Sequence, residues 1–349
     1  MLMPPDRRHF IGAAAMTVAA AGLDLFPRAG AAGPEALRAL WGGSPWLNAP
    51  RPDPAALGGA VVAVQFGTFT CINWLRTLPH VRAWTQAYPQ LTMVGVHTPE
   101  FTFERDLAHV RRSIARLALG YPMVVDNDYA IWRAFDNHSW PALYVFGKDG
   151  QLRRRHFGEG EYDASERAIR DALAEAGRLA SPSHPGQVVA ERFELQADWA
   201  SLQSPEMYLG RARQQRFASP GGLQRGRRTY TAPTPLALNA WALGGAWTAG
   251  PEAAVAQERS ARVACGFQAR DLHLVMAPAS DGTPIPFRVL LDGAPPGAAH
   301  GHDVDAAGDG VVSEPRLHQL IRQPQPIRAR QFAIEFALPG AQVFSFTFG

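Results

Sequence analysis

Gly67-Thr68-Phe69-Thr70-Cys71-Ile72-Asn73-Trp74-Leu75-Arg76-Thr77-Leu78-Pro79, entered from the apolar run Val61 to Phe66, reads as strand, tight turn and helix start. Cys71 then lies where a helix begins. Backbone N–H groups left unpaired there, together with the positive end of the helix dipole, stabilise a thiolate and lower a thiol pKa from about 8.5 toward neutrality. That placement makes Cys71 the candidate nucleophile. The fourth position of what would be Cys-x-x-Cys is Trp74, so the thiol that would close an internal disulfide is replaced.

A chain of 349 residues, 46% hydrophobic and 19% charged, predicts two globular domains, each able to bury its own core. The net charge is +3, and all 34 basic residues except Lys148 are arginine. These arginines are spread along the chain, so the bias argues against a nucleic-acid partner. Cys71 and Cys265 fall in different predicted domains, and their spacing fits neither a disulfide framework nor a zinc site; no metal and no cofactor is expected.

The first 32 residues read as an address. Asp6-Arg7-Arg8-His9-Phe10-Ile11 matches the twin-arginine export pattern, followed by a weakly apolar run from Gly12 to Leu23 and small residues at Ala29-Gly30-Ala31. The expectation is a periplasmic or otherwise extracytoplasmic protein with no transmembrane span in its mature chain.

Strands and helices alternate from Leu57 to Gly177: Val61–Phe66, Ile72–Tyr88, Thr92–His97, Phe103–Leu119, Met123–Asp126, Tyr129–Phe135, Leu143–Gly147, Arg153–Phe157 and Asp163–Ala176. Lys148-Asp149-Gly150 is a hairpin turn signal, so a mixed sheet flanked by helices is predicted. Residues 33–56 read as a lead-in to this domain of residues 57–177. Residues 178–204, with Ser181-Pro182-Ser183-His184-Pro185-Gly186, read as a linker. Residues 205–349 carry short apolar segments, Ala261–Phe267, Leu272–Met276, Phe287–Leu291 and Gln331–Phe336, between Pro, Gly and Asp clusters. That pattern predicts an antiparallel β-sandwich or jelly roll.

Five collinear motifs in the first half carry a family resemblance: Cys71 to Pro79, Gly95-Val96-His97-Thr98-Pro99-Glu100-Phe101, Asp126-Asn127-Asp128-Tyr129-Ala130-Ile131-Trp132, Trp140-Pro141-Ala142 and His156-Phe157-Gly158-Glu159-Gly160. They are continued by Ser204-Pro205-Glu206-Met207-Tyr208-Leu209-Gly210, Phe217-Ala218-Ser219-Pro220-Gly221-Gly222 and Ala269-Arg270-Asp271-Leu272-His273-Leu274. Together they resemble the exported, thioredoxin-like part of the DipZ family. The resemblance implies a TlpA-like thioredoxin fold followed by a β domain like a carbohydrate-binding module. It implies that Cys71 is the nucleophile and that Pro141 is the cis-proline facing it, with Thr70, Ile72 and Trp140 contacting substrate. The chain departs from the family at Trp74, where a cysteine is usual, at Gln65, where a buried carboxylate is frequent, and at Gly67, where a tryptophan is usual. Each departure points away from dithiol chemistry.

Other candidates have structural readings. Cys265, within a strand-like run, suits a buried hydrophobe. Asp303 to Gly310, with Glu314 twelfth, superficially resembles a calcium loop, but Ala307 stands at its fifth position and a polar hairpin is favoured. His97, His138 and His156 could approach Cys71, and Trp241 and Trp247 could form a sugar platform or belong to a core. The leading function is mixed-disulfide exchange through Cys71 with a thiol- or disulfide-containing protein or a small thiol, resolved externally. A redox-inactive module presenting a glycan- or protein-binding β domain is one rival. A one-cysteine peroxidase, suggested by Thr68-x-x-Cys71 but lacking the expected proline at Val64, is another.

Overall fold

The computed structural model describes residues 33–179 and 188–349. The export signal read at residues 1–32 and the Ser181–Gly186 segment lie outside the described residues. The chain divides into two compact units between Val189 and Ala190.

The first unit contains α1 (Pro34–Ala39), β1 (Trp46–Leu47), α2 (Pro54–Leu57), β2 (Val61–Gly67), α3 (Ile72–Ala87), β3 (Leu91–His97), α4 (Leu107–Arg116), β4 (Met123–Val125), α5 (Ala130–Ala134), β5 (Ala142–Phe146), β6 (Leu152–Phe157) and α6 (Tyr162–Glu175). Its sheet runs β1-β4-β3-β2-β5-β6. β2 is parallel to β3, and β3 to β4, while β5 and β6 are antiparallel neighbours, the mixed pattern read from the hairpin signal at Lys148–Gly150.

β2 is central and wholly buried, so both of its faces are covered, which is why it reads as a run and not as an alternation. Val62, Val64 and Phe66 point to one face, where they share a core with Leu37 and Leu40 near the N-terminus and with Ile131, Trp132 and Phe135 around α5. Gln65 and Gly67 point to the other face, which α3 and α6 cover. These two helices are tied to each other by a Tyr88 hydroxyl that donates to Glu166 (2.8 Å) and by stacked His80 and Tyr162 rings 3.5 Å apart.

Two expectations change. The lead-in is built into this unit: Leu37, Leu40 and Leu47 are buried, and β1 pairs with β4. Its apolar residues find two places that local sequence does not announce: Leu37 and Leu40 pack into the core beside α5, and Trp46 and Leu47 take the open edge of β4. The helix expected from Phe103 to Leu119 is a short 3-10 turn, Thr102–Arg105, and then α4. Asp106 separates them because its carboxylate accepts the Ala108 and His109 N–H groups and caps a new helix.

The second unit is antiparallel β. It comprises β7 (Met207–Tyr208), β8 (Gly226–Tyr230), β9 (Trp241–Ala249), β10 (Ala254–Ala256), β11 (Ala261–Phe267), β12 (Asp271–Ala277), β13 (Ile285–Leu291), β14 (Asp309–Val312), β15 (Arg316–Arg322), β16 (Arg330–Phe336) and β17 (Gln342–Phe348). The eleven strands form one curled sheet that folds over itself. Phe332 of β16 meets Phe346 of β17 at 5.7 Å, and Trp247 of β9 meets Phe336 at 6.1 Å, so the two layers share one core. β9 is the corner: Trp241 to Gly244 pair with β11, whereas Gly245 to Ala249 pair with β8. The turn of the strand falls on Gly245, whose φ of +84° suits a residue without a Cβ.

The two adjacent glycines therefore differ in what they tolerate. A Cβ on Gly245 would combine left-handed backbone with a 2.6 Å approach to Glu258 Oε1, while one on Gly244 would meet only ordinary contacts from 3.6 Å. Chemical denaturation should find Gly245→Ala destabilised by about 1–2 kcal/mol and Gly244→Ala by less than about 1. Equal losses would remove the corner from Gly245.

Candidate functional site around Cys71

Helix α3 starts on Cys71. The Cys71 N–H donates to the Thr68 carbonyl (3.1 Å), closing the turn after β2, and its own carbonyl accepts from the Leu75 N–H (3.0 Å). No side-chain oxygen caps the helix, so the thiol stands where a Ser or Asp would otherwise accept the first amides. The sulfur is partly exposed, and its S–H points to the Trp140 carbonyl at 3.7 Å. The Trp140–Pro141 peptide is cis.

The motifs that lie far apart in sequence meet in holding that peptide. The Trp140 indole N–H donates to the Thr98 carbonyl (2.9 Å), and the Thr98 hydroxyl donates to Asp126 (3.2 Å). Asp126 in turn accepts the Ile131 and Trp132 N–H groups at the start of α5, at 2.9 and 2.8 Å. On the other side, the Pro141 carbonyl accepts the Gly158 N–H (2.8 Å) and the Ser139 hydroxyl (3.1 Å). The next residue, Glu159, forms a buried ion pair with Arg76 of α3 at 3.0 Å. Burial lifts the Glu159 carboxyl above the usual range, against the pull of the Arg76 guanidinium. The nucleophile helix and the cis-proline loop are thereby joined through the protein interior.

Of the six residues singled out from sequence, Cys71 and Trp140 keep partial exposure, while Thr70, Ile72, Trp74 and Pro141 are buried. The Thr70 hydroxyl is committed to Glu104 at 2.5 Å. The Trp74 indole lies against the Cα of Gly67: a Cβ there would come within 2.2 Å of the indole nitrogen. The side chain that replaces a second thiol thus occupies the space Gly67 leaves open and is only 2% exposed. Gln65 is also buried; its amide donates to the Thr77 hydroxyl (2.6 Å) and accepts the Tyr121 hydroxyl (3.2 Å), forming an uncharged bridge beneath α3.

The remaining candidates resolve as structure. His97 is buried, with Nε2 2.9 Å from the Glu104 carbonyl and its ring stacked on Phe69; burial pushes its pKa down to about 4. His138 packs on Phe157, and His156 faces Glu161 at 3.6 Å. Cys265 lies in the β core, where burial holds its thiol well above the ordinary range. Trp241 and Trp247 are fully buried with their indole N–H groups bound to Gln215 and Gly244 carbonyls, so neither is a sugar platform. In the acidic loop, Asp303 binds Arg316 and the Gln319 N–H, Asp305 accepts from the Asp309 N–H, and Asp309 pairs with Arg288, so the carboxylates close a hairpin. Glu104 was invisible from sequence: one more Glu in a helix-like stretch carries no signal until the turn buries it.

The family follows from comparison. Residues 204–349 match the family described as thioredoxin like C-terminal domain. The thiol-disulfide oxidoreductase YkuV of Bacillus subtilis is 31% identical over 137 residues, which make up 39% of this chain and 93% of that protein. The chain belongs to the thioredoxin-like family. Protein DipZ of Mycobacterium tuberculosis is 32% identical over 314 residues, covering 87% of this chain and 41% of DipZ. The chain therefore spans about two-fifths of the length of that relative. A solved thioredoxin-like protein in its oxidised form is 30% identical, covering 37% of this chain and 88% of its own, with a TM-score of 0.35. Among the described residues no helix is long and apolar enough to cross a membrane.

The Gly67–Trp74 contact makes two substitutions interdependent. Gly67→Ala alone should cost at least about 2 kcal/mol by overpacking, whereas in a Trp74→Ala background it should cost under about 1. Additive losses in the double-mutant cycle would show that the indole does not occupy that space.

Proposed function

We propose that this thioredoxin-like protein performs thiol–disulfide exchange through Cys71 alone. The observation that carries this reading is the partly exposed Cys71 sulfur at the start of α3, facing the carbonyl that precedes cis-Pro141, with Trp74 buried at the position a resolving cysteine would need. The helix start favours the thiolate. That thiolate attacks one sulfur of a partner disulfide, forming a Cys71–partner disulfide and expelling the other sulfur as a thiolate. An external thiolate then attacks the mixed disulfide, leaving with the partner sulfur as a new disulfide and regenerating the Cys71 thiolate. Electrons are conserved at each exchange, and no cofactor enters. Pro141 and Trp140 shape the approach of the incoming chain, and the partner is a thiol- or disulfide-containing protein or a small thiol. Thr70 and Ile72 act through the turn they build. Residues 1–32 direct twin-arginine export to an extracytoplasmic compartment.

With an aromatic disulfide probe and mass spectrometry, Cys71 should be the labelled site, Cys71→Ser should abolish labelling of the folded protein, and Cys265→Ser should leave it unchanged. Labelling absent at Cys71 would favour a redox-inactive binding module, and rapid peroxide oxidation without exchange would favour the peroxidase. Trp74→Cys should form a 71–74 disulfide on oxidation, since residues one helical turn apart have compatible separation, at a stability cost of about 3 kcal/mol for the lost indole. Failure to form it would displace Cys71 from the thioredoxin-type position.

For export, fusing residues 1–32 to a reporter should give a translocated product that Arg7→Lys/Arg8→Lys retains in the cytoplasm. Unchanged translocation would reject the twin-arginine route.

A further inference from the structure

The position that often holds a buried carboxylate beneath the helix is the neutral Gln65, yet a buried carboxyl does reach the nucleophile's turn, from another element. Glu104 stands on the 3-10 turn Thr102–Arg105 and is 0% exposed. One oxygen accepts the Thr70 hydroxyl at 2.5 Å; the other accepts the Glu100 and Phe101 N–H groups at 2.6 and 2.9 Å. Thr70 is the residue directly before Cys71, so the carboxyl is bonded to the turn that ends on the sulfur.

We propose that Glu104 is a positioning residue for Cys71 that controls its charge: through Thr70 it holds the turn, and its ionisation opposes formation of the Cys71 thiolate. This rests on Cys71 being the reacting thiol. Burial pushes the Glu104 carboxyl up to about 7, against the hydroxyls of Thr68 and Thr70 and the Phe101 N–H, with the Glu100 charge adding to the rise. Among the described residues, the influences on this carboxyl are burial, two hydroxyls, a backbone N–H and a second acid. His97 on β3 is buried and held neutral, and it meets the Glu104 carbonyl, not the carboxyl. On α4, Asp106 is spent on helix capping and the His109 Nδ1 lies against the Phe103 carbonyl. Asp126 at the end of β4 is bound to Thr98 and to the start of α5.

Two neighbouring groups that both become anionic in a low-dielectric site titrate as a pair, each raising the other. When Cys71 enters a mixed disulfide its charge passes to the leaving thiolate. The sulfur is then neutral, and Glu104 releases its proton to solvent more readily; reduction reverses this. Proton release by Glu104 is therefore linked to the redox state of Cys71.

The test is the rate of Cys71 alkylation by iodoacetamide between pH 5 and 9, read site by site by mass spectrometry on the full chain, for the native protein, Glu104→Gln and Thr70→Val. The native profile should rise over a broad range, steepening below and flattening above neutrality. Glu104→Gln should give a single sharper titration with its midpoint lower by about half a pH unit or more, equivalent to about threefold more thiolate on the acid side. Thr70→Val removes a donor that favours the Glu104 anion, so its profile should move toward that of Glu104→Gln; it also serves if Glu104→Gln does not fold. A folded Glu104→Gln or Thr70→Val whose profile superimposes on the native one overturns this role for Glu104. An unreactive Cys71 in the native protein overturns the exchange reading instead.

Discussion

The seating of the Trp74 indole on the bare Cα of Gly67 sets the terms for the rest of the site. β2 ends on Gly67, α3 begins five residues later, and the close approach of ring to backbone locks one to the other. Once an indole fills that space, the third residue after the nucleophile can no longer carry a sulfur. Chemistry at Cys71 then has no internal exit, and any covalent intermediate persists until a second molecule arrives. The same contact explains two departures from the dithiol pattern as one event, because the large side chain at 74 requires the small one at 67.

Around this anchor the loop facing the sulfur is held by polar contacts from both sides. Asp126 and Thr98 support Trp140, while Gly158, Ser139 and the Arg76–Glu159 pair fix Pro141 and its neighbours. Thr98, Ser139 and Gly158 bond the residues of one cis peptide directly, while Asp126 and the Arg76–Glu159 pair hold the neighbours of those contacts. None is catalytic alone; together they hold the Trp140 carbonyl 3.7 Å from the thiol. A buried pair such as Arg76–Glu159 adds little net stability, since desolvation offsets attraction, but it penalises any arrangement that separates the two charges. Its contribution is therefore to the relative placement of helix and loop.

The electrostatics beneath the sulfur have been redistributed. Gln65 carries no charge in any state and serves as a hydrogen-bonded bridge between Thr77 and Tyr121. Ionisable character instead comes from Glu104, brought in by the turn after β3 and reaching Cys71 through Thr70. A carboxyl placed beside the turn leaves the Gln65–Thr77 contact between β2 and α3 polar but uncharged.

Local pattern alone determined much of this protein. The mainly apolar run before Gly67, the helix-compatible residues after Cys71 and the Lys148–Gly150 turn specify their elements because backbone sterics and burial act over a few residues. The break between an alternating α/β half and an all-β half was legible for the same reason. Cys265 and the two tryptophans of β9 could be read as core from strand context. What only the tertiary structure decided depends on contacts between residues far apart in the chain. Trp46 and Leu47 join the sheet because β4 offers an open edge, and Leu37 and Leu40 pack into the core beside α5. Asp106 splits an expected helix because capping its start outweighs continuing it. Trp74 turns inward because Gly67 leaves room. Glu104, thirty-four positions from Thr70, is drawn to it only when the turn after β3 folds against the start of α3. Hydrophobic periodicity reports which face of an element is buried, but it carries no record of which polar group will meet another inside, and that pairing shapes the surroundings of the thiol.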